Sequence, residues 1–204
     1  LFKLIALGNN TIKKLCVTTF LDHATQEQQG EAAAYIESMV AADAIVHLRV
    51  LVEIQDDDDL VNLTLTLVKL VVITSKAFRV AAFDRAQSEF FTTITKLLRR
   101  NHTEIQTNVC DIFNYFCVED ASALRSLLRS LNALNAIQNL AGASGRENNA
   151  SGDETERIKI QTLAQAAATT VANLTKSDES EFLVGSAPLR PTLQLSGILP
   201  SLRK

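Results

Sequence analysis

One pattern of apolar and polar residues recurs along the chain at an interval of about 45 residues, and it limits the fold more than any other feature. It is clearest in residues 60–70, returns in residues 105–115 and 161–176, and has an earlier copy in residues 12–22. The last interval is longer because a polar segment precedes the final copy. The polar stripe falls at matching positions in the three later copies: Asn62, Thr66 and Lys69; Thr107, Asp111 and Asn114; Ala166, Thr170 and Asn173. Such repeats are typical of stacked helical units.

Shorter amphipathic segments fill the intervals between these copies. One such segment precedes every copy: residues 1–7, 45–54, 90–98 and 131–140. A further segment precedes the last three of these: residues 31–42, 77–86 and 121–130. Each complete unit therefore contains three predicted helices, of which the third is the longest and most apolar. No proline occurs before Pro188, so the strongest helix breaker is absent from the repeats.

Residues 61–67 also alternate apolar and polar side chains, as a β-strand would. Extended to residue 73, however, the same stretch places Asn62, Thr66 and Lys69 at spacings of four and three, which form one stripe of a helix. The sequence therefore predicts an all-α fold, with a strand in this segment as the alternative.

Composition divides the chain into a repeat region, residues 1–176, and a C-terminal extension, residues 177–204. Within the first, residues 142–157 are rich in Gly, Ser and Asn, which predicts a mobile, exposed loop. All three prolines lie in the extension, so we expect it to be irregular. Its apolar residues suit either capping of the last repeat or docking in a groove, its own or a neighbour's. Because the chain does not begin with Met, we expect it to be part of a longer array.

Charge and hydropathy exclude several classes of function. The net charge of −3 and pI near 5.7 argue against nucleic-acid binding, which needs an excess of Lys and Arg. The most apolar run, residues 60–73, is shorter than the roughly 20 residues of a membrane-spanning helix, so we expect no membrane insertion. Three Cys cannot complete a disulfide framework and suit a reducing compartment. We therefore expect a cytoplasmic protein, with the nucleus as the alternative compartment.

No constellation of residues indicates catalysis, a metal or a cofactor. His23, His47 and His102 are scattered, without a second ligand at metal-binding spacing. Cys110 and Cys117 are seven residues apart, which places them on one helix face, and core packing is favoured over a redox pair. We therefore predict that the chain is not an enzyme.

Residues 56–59 are four consecutive Asp, the most conspicuous charge run in the chain. We interpret them as a solvated turn whose last residue, Asp59, caps a helix that begins near Leu60, where the helix dipole favours negative charge. The alternative is a contact for a basic peptide or a cation.

The third segment of each unit resembles the third helix of the armadillo-repeat family. Residues 171–174 (VANL) match the Leu-x-Asn-Leu ending of that helix, and residues 112–115 (IFNY) are similar to it. The resemblance implies a right-handed α-solenoid of about four armadillo-like repeats, with two-helix HEAT repeats as the alternative. The chain lacks the family's usual Gly between first and second helices. It also lacks the third-helix Trp of nuclear-import adaptors, with Leu65, Cys110 and Thr169 at the matching positions.

In that family the third helices line a concave surface, where Asn side chains clamp the backbone of an extended peptide. By this resemblance, Asn114 and Asn173 would be the clamp residues, and Lys69 and Asp22 would occupy the equivalent positions in the other units. Thr66, Asp111 and Thr170, one turn earlier, would set the chemistry of the groove. It implies a non-catalytic scaffold that binds a peptide or protein segment. The alternative is a regulatory region of a larger multidomain protein that docks its own chain, a GTPase or a neighbouring subunit. The plainer interpretation is that these side chains are only solvated.

Overall fold

The computed structural model describes residues 2–25, 29–83, 88–142 and 154–185, and within these ranges it contains ten α-helices and no β-strand. The predicted all-α fold is confirmed, and the strand alternative is wrong because residues 61–67 are helical. In chain order the helices are α1 (Phe2–Leu7), α2 (Asn10–Ala24), α3 (Gln29–Ala41), α4 (Ala44–Val52), α5 (Asp58–Thr74), α6 (Lys76–Ala82), α7 (Ser88–Leu97), α8 (Thr103–Ser130), α9 (Leu134–Ala141) and α10 (Glu154–Gly185).

The helices coincide with the predicted segments. The recurring pattern forms α2, α5, the first part of α8 and α10, while the segments directly before it form α1, α4, α7 and α9. Helix α8 is two helices joined at Asp120, whose φ of −156° and ψ of 92° are not helical. The Asp120 carboxylate accepts a hydrogen bond from the Ala123 backbone N–H at 2.8 Å, so it acts as the N-cap of the second part.

The long helices pack side by side in chain order. Helix α2 contacts α5, α5 contacts α8, and α8 contacts α10, while α1, α4 and α7 form a second series in which neighbours also touch. Each helix of the second series also packs on the long helix that follows it in the chain. Buried apolar side chains between the series, among them Leu48, Val68, Phe113 and Leu174, belong to one cluster. Polar residues on the outer face of the long helices are therefore brought next to one another.

The connections before α4 and α9 use left-handed backbone without glycine. Asp43 has a φ of 57° and Asn132 a φ of 54°. Asp and Asn tolerate this region better than other residues with a Cβ because their short polar side chains can bond locally. The same turn geometry thus occurs at matching places in two units, where the sequence offers no glycine.

Helix α5 begins at Asp58, and its N-cap is Asp57, not Asp59 as predicted. The Asp57 carboxylate accepts a hydrogen bond from the Leu60 backbone N–H at 3.0 Å. It also lies 2.9 Å from Lys14 Nζ on α2. Both contacts hold the pKa of Asp57 below its usual value, the Lys14 hydrogen bond most strongly. Asp59 lies in the first turn, where its negative charge interacts favourably with the helix dipole.

A sharp corner separates α5 from α6. In the part of the chain that the structure describes, no single helix is both long and apolar enough to cross a membrane. Helices α5 and α6 together reach that length and composition, but they are bent by 108°. The Ser75 hydroxyl at the corner accepts a hydrogen bond from the Phe78 backbone N–H at 3.1 Å and so starts α6.

Five phenylalanines fix the position of α8 against α6 and α7. The rings of Phe91 and Phe116 have centroids 4.9 Å apart, and Phe116 also lies 5.7 Å from Phe83 and 6.2 Å from Phe90. Phe78 on α6 meets Phe90 edge-on at 5.6 Å. Such edge-to-face pairs add to the stabilisation from apolar burial. Helix α8 is thereby anchored on one side while its opposite side faces α10.

Two predictions about the chain's C-terminal part need correction. Residues 142–157 were predicted to be a loop, but α10 begins at Glu154, so residues 154–157 are helical. Residues 143–153 lie outside the described ranges. The extension was predicted to be irregular from residue 177, yet α10 continues to Gly185, and the rest, residues 186–204, is also outside. The helix propagates through both borders because no proline or glycine interrupts residues 154–184.

Candidate partner-binding groove

Lys69 and Asp111 were both predicted to meet a partner, but they bind each other. Lys69 Nζ on α5 lies 3.1 Å from Asp111 Oδ2 and 3.1 Å from Asn108 Oδ1 on α8. Both charged side chains are about one third exposed, so the pair is accessible at the surface. The polar stripe is therefore continuous between two helices, and its charges are neutralised within the protein.

A second set of contacts extends this network to α10. Asn108 donates to Asn62 Oδ1 at 2.8 Å, Asn62 donates to Glu104 Oε2 at 3.1 Å, and Lys159 Nζ lies 2.9 Å from Glu104 Oε1. The Lys159 ammonium holds the pKa of Glu104 below its usual value. Glu104 and Asn108 were not among the predicted site residues, although residues 104, 108 and 111 are spaced by four and three and so form one helix stripe.

Asn114 and Asn173, the two predicted clamp residues, make only long hydrogen bonds. Asn173 donates to Asn114 Oδ1 at 3.4 Å, and Asn114 donates to the Ala166 carbonyl at 3.4 Å. Normal N–H···O distances are about 2.7–3.2 Å, and the bond weakens beyond them. Both side chains are half-buried. Their amides are thus close together and weakly engaged.

Thr170 does not lie in the groove, and the prediction for it is wrong. Its side chain is fully buried, with Oγ1 2.9 Å from the Ala166 carbonyl and 3.1 Å from the Cys110 carbonyl on α8. The small residues Ala166 and Ala167 on α10 let the two helices approach closely, so this position faces α8 instead of solvent. Its hydroxyl links the helices.

Thr66 and Asp22 are at the surface and bind none of the other predicted residues in the contacts that the structure describes. Thr66 is exposed, and its hydroxyl donates to the Asn62 carbonyl of its own helix at 3.0 Å. Asp22 is exposed near the end of α2. Neither lines the groove described next.

An open groove of about 490 Å³ lies between α8 and α10, with residues from both helices along it. Its lining residues are Asp111, Asn114, Ile158, Gln161, Thr162, Gln165, Ala166 and Thr169. A smaller recess of about 240 Å³ adjoins it and shares two of these residues; it is lined by Asn62, Thr103, Glu104, Thr107, Asn108, Ile158, Lys159 and Thr162. Ile158 stands between the two and is 54% exposed. Of the α10 lining residues, the repeat pattern includes only Ala166 and Thr169, although residues 158, 162, 165 and 169 share one helix stripe.

The described residues hold no cluster that could bind a metal ion, and the two cysteines of α8 are poor nucleophiles. No group of three or more His, Cys, Asp or Glu side chains in these ranges could hold a metal ion. Burial raises the pKa of the Cys110 thiol to about 12 and that of Cys117 to about 11. Both thiols are therefore protonated near neutral pH and are poor nucleophiles. What the groove offers is hydrogen bonding, mainly through amide and hydroxyl groups, beside one exposed aliphatic side chain.

No protein-family model and no curated protein matches this chain. Among solved structures, it is similar to a crystal structure of an engineered protein from the Northeast Structural Genomics Consortium, with a TM-score of 0.62 and 14% sequence identity. The match covers 90% of this chain and 66% of that protein. At this identity the similarity concerns the helical fold alone.

Proposed function

We propose that the helices form a right-handed solenoid of about four armadillo-like repeats. Three features support this assignment: the three-helix grouping, the side-by-side packing of α2, α5, α8 and α10, and the left-handed turn residues Asp43 and Asn132 at matching places. The break at Asp120 favours three helices per unit over the two of HEAT repeats, because it separates a short first helix from the long helix before it.

The function proposed for this solenoid is the binding of an extended peptide or protein segment, without catalysis. The groove between α8 and α10 carries the proposal, because Asn114, Gln161 and Gln165 reach it from two neighbouring helices. An extended segment presents one N–H and one C=O per residue, and a side-chain amide can bond to both kinds of group. Asn173 supports Asn114 from the next turn of α10.

The proposal extends to compartment and partner class. The described cysteines, Cys16, Cys110 and Cys117, are free thiols, which supports a reducing cytoplasmic environment, with the nucleus as the alternative. A mixed groove of amides, hydroxyls and one exposed isoleucine suits a protein segment better than a nucleic acid, which needs several unpaired cations.

Peptide-display selection on the full chain tests this function. Peptides that bind are re-measured by fluorescence anisotropy against Asn114→Ala/Gln165→Ala, with Gln138→Ala on the exposed side of α9 as the matched amide control. We expect the double variant to bind about tenfold more weakly, since each lost hydrogen bond contributes about 0.5–1.5 kcal/mol, and the control to bind normally. Equal affinity in all three proteins would show that the groove is not the binding site.

A further inference from the structure

We propose that the groove selects an extended segment whose side chains are uncharged and include an aliphatic residue beside Ile158. This inference rests on the proposed function and specifies the ligand of that same groove. Its basis is the pairing of the charges around the groove together with the exposure of its one large apolar side chain.

The charges around the groove neutralise each other. Among the described residues that line the two recesses, the charged ones are Asp111, Glu104 and Lys159. Asp111 is paired with Lys69 at 3.1 Å, and Glu104 with Lys159 at 2.9 Å. Two cations thus balance two anions, and no carboxylate or ammonium among these four stands without a counter-ion.

Both a cationic and an anionic ligand side chain would therefore be disfavoured in the groove. A Lys or Glu side chain entering the groove would lose water without gaining a free counter-ion, or would have to break one of the existing pairs. The Lys69 ammonium holds two acceptors, Asp111 and Asn108, so displacing it would also release a second contact. A groove whose charges are already paired is therefore electrostatically complementary to an uncharged ligand.

The apolar part of the selection comes from Ile158. Its side chain is 54% exposed between the two recesses, and Ala166 lies in the lining of the larger one. An aliphatic ligand side chain placed here would remove apolar surface on both partners from water. Gln161, Thr162 and Gln165 follow Ile158 along the same helix and would bond the ligand's backbone beyond that anchor.

Three capped synthetic peptides of equal length test the selection on the full chain. All are built from Ser, Thr and Gln, and they carry Leu, Lys or Glu at the same two alternating positions. We expect the Leu peptide to bind best, with each charged peptide weaker by about fivefold or more, equivalent to about 1 kcal/mol. A charged peptide that binds as well as the Leu peptide would overturn the inference while leaving the groove as a binding site. If none of the three peptides bound, the inference would likewise fail. The proposed function is judged separately, by the display selection and its Asn114→Ala/Gln165→Ala variant.

Unpairing a groove charge should change the preference in a predictable direction. Lys69→Met leaves the Asp111 carboxylate without its cation and should raise the relative affinity for the Lys peptide about fivefold. Glu104→Gln removes the carboxylate that pairs with Lys159 and should favour the Glu peptide instead. The matched control is Lys76→Met, because Lys76 pairs with Glu119 outside the groove and its loss leaves Arg79 on that carboxylate. Far-UV circular dichroism verifies that each variant is folded. Unaltered relative affinities of the three peptides in both groove variants would refute the role of charge pairing.

Discussion

The aromatic contacts of Phe116 provide the strongest test of the packing that positions the groove. Phe116 is fully buried on α8, and its neighbour Tyr115 on the same helix is 38% exposed. Replacing Phe116 with Ala would remove a ring that touches Phe83, Phe90 and Phe91 from three directions. Tyr115→Ala removes a ring of similar size from the same helix and is therefore a matched control.

The expected loss of unfolding free energy for Phe116→Ala is about 4–5 kcal/mol. Truncation of a buried Phe generally costs about 3–5 kcal/mol, and the upper part of this range applies where the cavity cannot collapse. Here the cavity walls are themselves rings held by further contacts, such as that between Phe78 and Phe90. Phe116→Leu keeps most of the apolar volume and should lose about 1.5 kcal/mol. Tyr115→Ala should lose no more than about 1 kcal/mol because much of its surface is already in water.

Thermal and urea unfolding followed by far-UV circular dichroism would measure these differences. At about 2–4 °C per kcal/mol for a chain of this size, Phe116→Ala should melt about 8–20 °C below the unmodified protein. The urea midpoint should fall with an unchanged slope if unfolding stays cooperative. A loss below about 1 kcal/mol, or equal losses for Phe116→Ala and Tyr115→Ala, would refute the reasoning that this cluster anchors α8.

Three further predictions follow from side chains described above. The pKa of Asp57 is lower in the folded protein than in the unfolded chain, so its contribution to stability is present above about pH 4 and is lost as the pH falls through the folded pKa. In urea titrations at several pH values, Asp57→Asn should reduce the loss of unfolding free energy on acidification, and an unchanged pH dependence would contradict this. Thr170→Lys should lower the unfolding free energy by about 3–5 kcal/mol because it buries a charge between helices. Thr169→Lys, on the exposed side, should change it by about 0.5 kcal/mol or less, and similar urea midpoints for the two variants would place Thr170 at the surface. Cys110 and Cys117, with pKa values of about 12 and 11, should resist alkylation in the folded protein near neutral pH and react once it is unfolded; rapid labelling of Cys110 without denaturant would be inconsistent with its burial.

Most of the secondary structure was predictable from the sequence because helix period and helix caps are local. The spacing of Asn62, Thr66 and Lys69 identified α5 as a helix despite its alternating, β-branched residues. The acidic run before α5 was correctly interpreted as the start of a helix, although Asp57 and not Asp59 is the cap. The choice among four consecutive Asp depends on which of them has the non-helical backbone of a cap, and Lys14 on another helix helps to hold Asp57 there.

The candidate site was predictable only in part. The stripe that contains Asn114 and Asn173 was identified from the repeat, and the two amides do lie together. The partners of Lys69 were not predicted, since Asn108 and Asp111 come from a helix about 40 residues away and repeat alignment compares equivalent positions without showing which ones touch. Ile158 and Gln165 of the groove were not predicted because neither matches the polar stripe of the other copies.

The sequence by itself determined the helices, their order and the interval at which they recur, because apolar periodicity, caps and the absence of proline act within one segment. Tertiary structure alone decided which polar residues meet solvent. Thr66 and Thr170 occupy the same place in the repeat, yet Thr66 is exposed and Thr170 is fully buried. The difference arises because Thr170 packs against α8, where its hydroxyl meets the Cys110 carbonyl beside the buried Ala166 and Ala167, and such a contact depends on residues of both helices.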